Sequence, residues 1–375
     1  MHRIHPALTP AVYLPGLLFE GLVRTRNLLY AYSLLPQQRV PAPVISIGNI
    51  TMGGTGKTPL VICVAQMLSK LGFTPAILTR GFGRIRPGES HVLQPGEAVP
   101  SPATTLGDEP ALIRRRVPCG WMGVSKNRYI AGAVLSKRDE RMVFVLDDGF
   151  QHRKLHRDLD IVILDSSRPL GSDRIFPRGT LREPVSALRR CDLIAINDST
   201  DPAQNHAVET EIRRLNTTAK IFHCRQEIKA LIPFLSWEKW GRLPISPVGC
   251  GGKTGENRNR EESPFSETAA LPATAYLVSA LGNPERFRRD VLQLGIEVRG
   301  AKFFADHYRL GKEDWRHCSE EARQKGVNAM ITTEKDAVKL GEPPDFPLLV
   351  AVQSTEISDA GAFELVLKKS IEERA

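Results

Sequence analysis

Long apolar runs are missing from this 375-residue chain. Its greasiest stretch, residues 8–35, is broken by Pro15, Glu20, Arg24 and Arg26. No run there approaches the roughly 20 apolar residues that a spanning helix needs. Paired cysteines are missing too. Cys63, Cys119, Cys191, Cys224, Cys250 and Cys318 stand far apart without C-x-x-C or metal-ligand spacing, which argues against a zinc ribbon or disulfide framework and fits a reducing compartment. His152 and His156 have the i,i+4 spacing of a helical metal pair, but their basic surroundings, HRKLHRD, repel a cation. Aromatic residues are scarce at 6%, and no nucleic-acid module is recognisable. The basic balance, 51 Lys plus Arg against 42 Asp plus Glu, therefore points away from nucleic acid and towards phosphorylated ligands or anionic lipid. An N-K-x-D guanine signature is also absent, and TEKD at 333–336 has the wrong order. That counts against the main rival class, a P-loop GTPase or partitioning ATPase.

Residues 8–35 carry Leu14, Leu17, Leu18, Leu22, Leu28 and Leu29 with Phe19, Tyr30 and Tyr32, punctuated by Arg24 and Arg26. This composition predicts an amphipathic helix over 1–35 lying in a membrane interface, with packing on the protein's own core as the competing reading. A signal peptide fits less well, because the apolar run from Ala11 to Phe19 leads into Glu20 and no small-x-small cleavage site follows. From residue 36 the chain alternates short β-rich runs with helical patterns, as in PVISIGN, PLVICVAQMLSKLG and PAILTR. MVFVLDD, DIVILD and DLIAIN read as strands buried on both faces. The fold class expected is α/β, a doubly wound, mostly parallel sheet of P-loop NTPase type over 36–230. A polar linker and insertion follows at 231–273, then a smaller α/β domain at 274–375, whose last helix can pack on either domain.

The strongest local signal is SIGNITMGGTGKTP, where a strand opens into a glycine-rich turn and a helical pattern follows. Gly53, Gly54, Thr55 and Gly56 supply a backbone cradle for phosphate, Lys57 reaches the β- and γ-phosphates, and the Thr58 hydroxyl faces Mg²⁺. Thr51 stands where the Walker A pattern has glycine. A second GGKT, at 251–254, lies in the polar insertion without flanking strand or helix and receives no phosphate role. The apolar run before Asp147 and Asp148 delivers both at the carboxyl end of a strand, where open α/β sheets bind ligands; one of the two is expected to hold Mg²⁺. Asp108, before EPALIRRR, reads on its own as a helix N-cap. The triplet Arg114–Arg116 and the cluster Arg286, Arg288 and Arg289 read as solvated helix faces, with attraction of an anionic head group or phosphate as the alternative.

Together GNITMGGTGKTP, LTRGFGR, GDEP, DDGFQH, RDLD, GTLREP, GNPERF and FADHY resemble the lipid A 4′-kinase family, running in order through most of the chain. The resemblance implies transfer of the ATP γ-phosphoryl group, with ATP and Mg²⁺ as cofactors, to the 4′-hydroxyl of a tetraacyldisaccharide 1-phosphate. It implies a peripheral enzyme on the cytoplasmic face of the bacterial inner membrane. The implied partners are that glycolipid and the membrane surface; no nucleic acid and no obligate protein partner are expected. By the same resemblance Asp108 accepts the proton of the attacking hydroxyl and His307 pairs with it. Arg182 steadies γ-phosphate charge, Glu183 assists Mg²⁺, and Asp148 and Lys57 complete the catalytic set. Arg80 and Arg84 are further candidates for phosphate or substrate. Phe82 replaces the family's usual Tyr, which removes a hydroxyl.

Overall fold

The computed structural model describes residues 9–81, 84, 89–99, 105–167, 170, 174–240 and 271–374. The chain opens with helix α1 (Thr9–Ala31), followed by β1 (Val44–Gly48), α2 (Lys57–Lys70), β2 (Thr74–Thr79), β3 (His91–Leu93), α3 (Asp108–Arg116) and β4 (Trp121–Val124). Next come α4 (Arg128–Leu135), β5 (Met142–Asp147), β6 (Leu159–Asp165), β7 (Leu193–Asn197), α5 (Pro202–Leu215), β8 (Lys220–Pro233) and α6 (Phe234–Trp240). The remainder comprises β9 (Thr274–Ser279), α7 (Pro284–Gln293), β10 (Glu297–Phe303), α8 (Lys312–Gln324), β11 (Ala329–Thr333), α9 (Glu334–Ala337), β12 (Leu348–Ile357) and α10 (Ala360–Glu372). The alternation predicted from the apolar runs is present. Strands β1, β5, β6 and β7 are buried along their whole length, as continuous Val, Ile and Leu runs require when helices cover both faces of a sheet.

The chain divides into two compact units, one of Met1–Lys57, Val145–Arg225 and Ile357–Ala375, the other of Thr58–Phe144 and Gln226–Glu356. These boundaries differ from the linear division at 230 and 273. Parallel strands need crossovers, so strands adjacent in a sheet come from distant stretches of chain. In the first unit β1 pairs with β6, β6 with β7 and β7 with β8, all parallel. Ile50, Phe150, Val162, Leu164, Leu181 and Ile194 form part of its core. The last helix, α10, belongs here, with Phe363 edge-on to Phe222 at 5.1 Å between ring centroids. In the second unit β9 lies between β10 and β11, and β12 pairs with β11, again all parallel. Ala275, Leu277, Phe287, Ile331 and Leu349 fill the core beneath them. Strand β4 pairs with β2 in parallel and with β3 antiparallel. The stretch expected to begin the linker at 231 instead completes β8 and forms α6, while the second GGKT lies outside the described residues.

Among its described side chains, helix α1 buries no apolar stripe. Leu14, Leu18 and Leu22 are 63%, 64% and 70% exposed, and Leu17, Phe19 and Leu28 are exposed with them. Val23 is its buried apolar side chain among those described. Polar contacts hold it instead: Glu20 pairs with Arg178, Arg26 and Asn27 bind Glu183, and Arg153 donates to the Asn27 carbonyl at 2.9 Å. Among its described side chains, packing on the protein's own core is limited to Val23 and an edge-on contact of Phe19 with Phe176. No helix among the described residues is long and apolar enough to cross a membrane.

Candidate active site

Strand β1 ends at Gly48, where a Cβ would come within 2.6 Å of the Phe150 side chain, so the glycine permits the next strand's loop to close over it. The loop from Asn49 to Gly56 then turns into α2. Gly53 and Gly56 have φ of 100° and 94°, left-handed values that side chains disfavour, and Gly54 has open space where a Cβ would stand. Two asparagines fix the loop from beneath. The Asn49 amide donates to the Thr55 hydroxyl at 3.0 Å, and the Asn197 amide donates to the Thr55 carbonyl at 3.1 Å. Gln151 in turn donates to the Asn49 carbonyl at 2.9 Å. These three residues were not singled out in the sequence. For Asn49 and Asn197 the signal was a polar side chain at the end of an apolar strand, where an unsatisfied amide is costly. Thr51 forms an antiparallel bridge with Leu181, and the Met52 N–H donates to the Thr180 carbonyl at 2.7 Å. Position 51 is therefore extended backbone, which explains why threonine replaces glycine there without loss of the loop.

That bridge carries GTLREP to the glycine-rich loop, and the Arg182 N–H closes it by donating to the Ile50 carbonyl at 2.7 Å. Arg182 consequently reaches Asp148, donating from one nitrogen to both carboxylate oxygens at 2.8 and 2.7 Å. Lys57 approaches the same carboxylate at 3.8 Å. Asp148 has φ of 51°, a left-handed conformation that aspartate tolerates better than most residues and that turns its side chain away from the strand line of β5. Asp147, one residue earlier, is buried. Gly149 follows because a Cβ there would lie 2.6 Å from the Ser46 hydroxyl. Lys57, Asp148 and Arg182, named separately from the sequence, are thus one cluster.

Glu183 is placed differently from the expectation that it serves Mg²⁺. It is fully buried, and its two oxygens accept from Arg26 at 3.2 Å, from Asn27 at 2.8 Å and from Arg190 at 2.9 and 3.1 Å. Arg190 also stacks over Phe150 at 3.6 Å. The carboxylate is saturated by donors and anchors α1. Arg114 and Arg116, expected on a solvated helix face, are buried instead. Arg114 donates to the carbonyls of Glu97, Gly120 and Gln94, and Arg116 pairs with Glu334 at 2.8 Å. A guanidinium has five donors and can be buried where several carbonyls converge. Arg115 likewise stacks on Trp237, at 4.0 Å, so the triplet as a whole is structural. Arg288 and Arg289 are exposed, as expected. Arg84 is buried, with burial working to lower its pKa, and Arg80 is exposed; Phe82 and Gly83 lie outside the described residues.

In the second unit Asp108 begins α3 as its first helical residue, after Gly107 at φ 100°. It is not the N-cap. One oxygen accepts from the Glu109 N–H at 3.0 Å; the other lies 3.0 Å from Nδ1 of His307, 199 residues away in sequence. His307 adopts φ of 63°, a strained value for a non-glycine residue. Burial works to raise the Asp108 pKa, but the His307 hydrogen bond and the charges of Lys335, His307 and Lys339 outweigh it and hold the carboxyl below its ordinary range. The bond to Asp108 raises the His307 pKa, against burial and the Lys335 charge. An anionic carboxylate with an imidazole partner can accept a proton, and its depressed pKa makes it a weak base.

A family model described as tetraacyldisaccharide-1-P 4′-kinase matches residues 8–372. The chain belongs to the tetraacyldisaccharide 4′-kinase family. It is 34% identical over 319 residues to the tetraacyldisaccharide 4′-kinase of Geobacter metallireducens, covering 85% of each chain. It is 37% identical over 349 residues to that of an Anaeromyxobacter species, covering 90% of this chain and 85% of the relative. Among solved structures, LpxK from Aquifex aeolicus in complex with ATP aligns with a TM-score of 0.68 at 27% identity, covering 97% of this chain and 98% of that one. This kinase family therefore accounts for nearly the whole chain.

Proposed function

We propose that this kinase transfers the γ-phosphoryl group of ATP to the 4′-hydroxyl of a tetraacyldisaccharide 1-phosphate, the acceptor specified by its relatives' name, at a membrane surface. One observation carries the reading: Lys57 and Arg182 converge on the Asp148 carboxylate beside the glycine-rich loop. Two cations that already grip an oxyanion are chemically fitted to phosphate oxygens. ATP supplies the transferable group, and Mg²⁺, when bound, neutralises phosphate charge. The open space over Gly54 and the left-handed turns at Gly53 and Gly56 fit such a ligand, because the backbone N–H groups of these glycines can approach phosphate without a Cβ in the way. Thr55 holds the loop's shape through Asn49 and Asn197.

Lys57 binds β- and γ-phosphate oxygens, and Arg182 stabilises charge on the γ-phosphoryl oxygens. The Thr58 hydroxyl and Asp147 or Asp148 are the residues that would hold Mg²⁺. The saturated hydrogen bonding of Glu183 supports an anchoring role for it in place of the metal role. Asp108 takes the proton as the acceptor O–H bond breaks and the oxygen bonds to phosphorus, while the bond from phosphorus to ADP breaks. His307 orients Asp108 and tunes its basicity. The exposed leucines of α1 suit the interface of the cytoplasmic leaflet of the inner membrane, with the enzyme bound peripherally. Transfer of labelled γ-phosphate to tetraacyldisaccharide 1-phosphate in mixed micelles tests the reading. Labelled lipid is expected; hydrolysis to inorganic phosphate alone, by folded protein, would favour a nucleotide switch.

A further inference from the structure

The TEKD stretch, which matched no guanine-binding pattern, has a different place in the fold. It forms α9, capped by the Thr333 hydroxyl, which accepts from the Asp336 N–H. Asp336 accepts from the Ala280 N–H and pairs with Lys339, and Glu334 pairs with Arg116. These contacts aim Lys335 at the Asp108–His307 pair. Its ammonium lies 3.4 Å from Nε2 of His307, 3.4 Å from Glu109 and 3.2 Å from Asp306.

The two close contacts of the ring, to Lys335 and to Asp108, favour one arrangement. An ammonium has three donors and no lone pair, so Nε2 facing it must accept. An ionised Asp108 has no donor, so Nδ1 facing it must donate. We propose that Lys335 is a positioning residue of this site: against the pull of the neighbouring carboxylates, it favours the His307 tautomer that carries its proton on Nδ1 and donates to Asp108. This rests on the reading of Asp108 as the proton acceptor. An imidazolium in the same place would be a stronger donor to Asp108 and would make it a poorer base. Lys335 opposes that state by like-charge repulsion.

The charged groups around the ring divide in two. Asp108 from α3 and Asp306 from the preceding residue, 3.9 Å from Nε2, favour the imidazolium. Lys335 from α9 opposes it, and Lys339 adds positive charge felt at Asp108. Glu109, also on α3, pairs with Lys335. With Glu109 and Asp306 beside it, Lys335 stays protonated well past neutral: burial works against the charge, but these carboxylates and Asp108 outweigh it and raise its pKa.

The test uses Lys335→Met, which keeps the length of the stem and removes the charge, and Lys335→Arg, which keeps the charge. Each full-length variant is first checked by thermal melting. Nitrogen-15 NMR of the imidazoles reads tautomer and titration directly, with His307→Gln assigning the resonance. In Lys335→Met the His307 titration is expected to rise by about one pH unit. The acid limb of the kcat profile should move up with it, with KM for ATP unchanged, and Lys335→Arg should restore both. An unchanged His307 titration and tautomer in a folded Lys335→Met variant overturns the inference. Wild-type turnover in Asp108→Asn overturns the underlying reading of Asp108, and that outcome is scored separately from the NMR result.

Discussion

Asp108 and Lys57 carry different burdens, and single substitutions separate them. On the proposed reading Asp108→Asn keeps shape but loses the base, so kcat should fall by about 10²–10⁴-fold with ATP affinity retained, as measured by single-turnover transfer and calorimetry. Lys57→Ala removes the charge proposed to meet the phosphates. Turnover should drop by about 10²–10³-fold and ATP binding should weaken as well. His223 offers a stability test at the pairing of β7 with β8. Its Nδ1 lies 2.7 Å from Asp198 and its Nε2 3.1 Å from Glu209. Burial lowers its pKa, but the two carboxylate bonds outweigh burial and raise it above the ordinary value. A group with a raised folded pKa contributes its full stability below the unfolded pKa of about 6.5 and loses it as pH rises through the folded value. His223→Gln should therefore cost more stability at pH 6 than at pH 9 in urea unfolding. An equal cost at both would show the imidazole acting as a neutral packing group.

At the level of elements, α1 is the unusual one, because it presents leucines outward and is held by charged and amide side chains. Replacing Leu14, Leu18 and Leu22 by Ser should weaken partitioning onto anionic vesicles by at least about tenfold while leaving the melting temperature nearly unchanged. Retained vesicle binding would remove the membrane role of this face. Glu183→Gln should have the opposite profile: it leaves Arg26 and Arg190 without their anion, and loss of one partner from a buried pair typically costs about 3–5 kcal/mol. Limited proteolysis within α1 should accelerate in that variant. The elements themselves were largely legible in sequence. The glycine-rich turn and the buried strands follow from local pattern, because glycine placement and apolar periodicity act over a few residues. Strand β8 running on to Pro233 and the burial of Arg114 and Arg116 were not legible, since both depend on neighbours supplied by remote segments.

For the molecule as a whole, nucleotide binding is coupled to folding. Ligand at about 100 times its Kd adds about 2.7 kcal/mol of stability, so magnesium-ATP should raise the melting temperature and Lys57→Ala should erase most of that rise. Sequence by itself determined the α/β class, the phosphate loop and the family, because these rest on short ordered motifs: GNITMGGTGKTP, DDGFQH and GTLREP each keep their chemistry within a few residues. Tertiary structure decided which of the named residues meet. It brought His307 to Asp108 across 199 positions, joined Arg182 to Asp148, withdrew Glu183 into an anchor for α1, and set Lys335 against the imidazole. The physical reason is that a hydrogen bond or ion pair is specified by a few ångströms in space, whereas parallel crossovers scatter its partners along the chain.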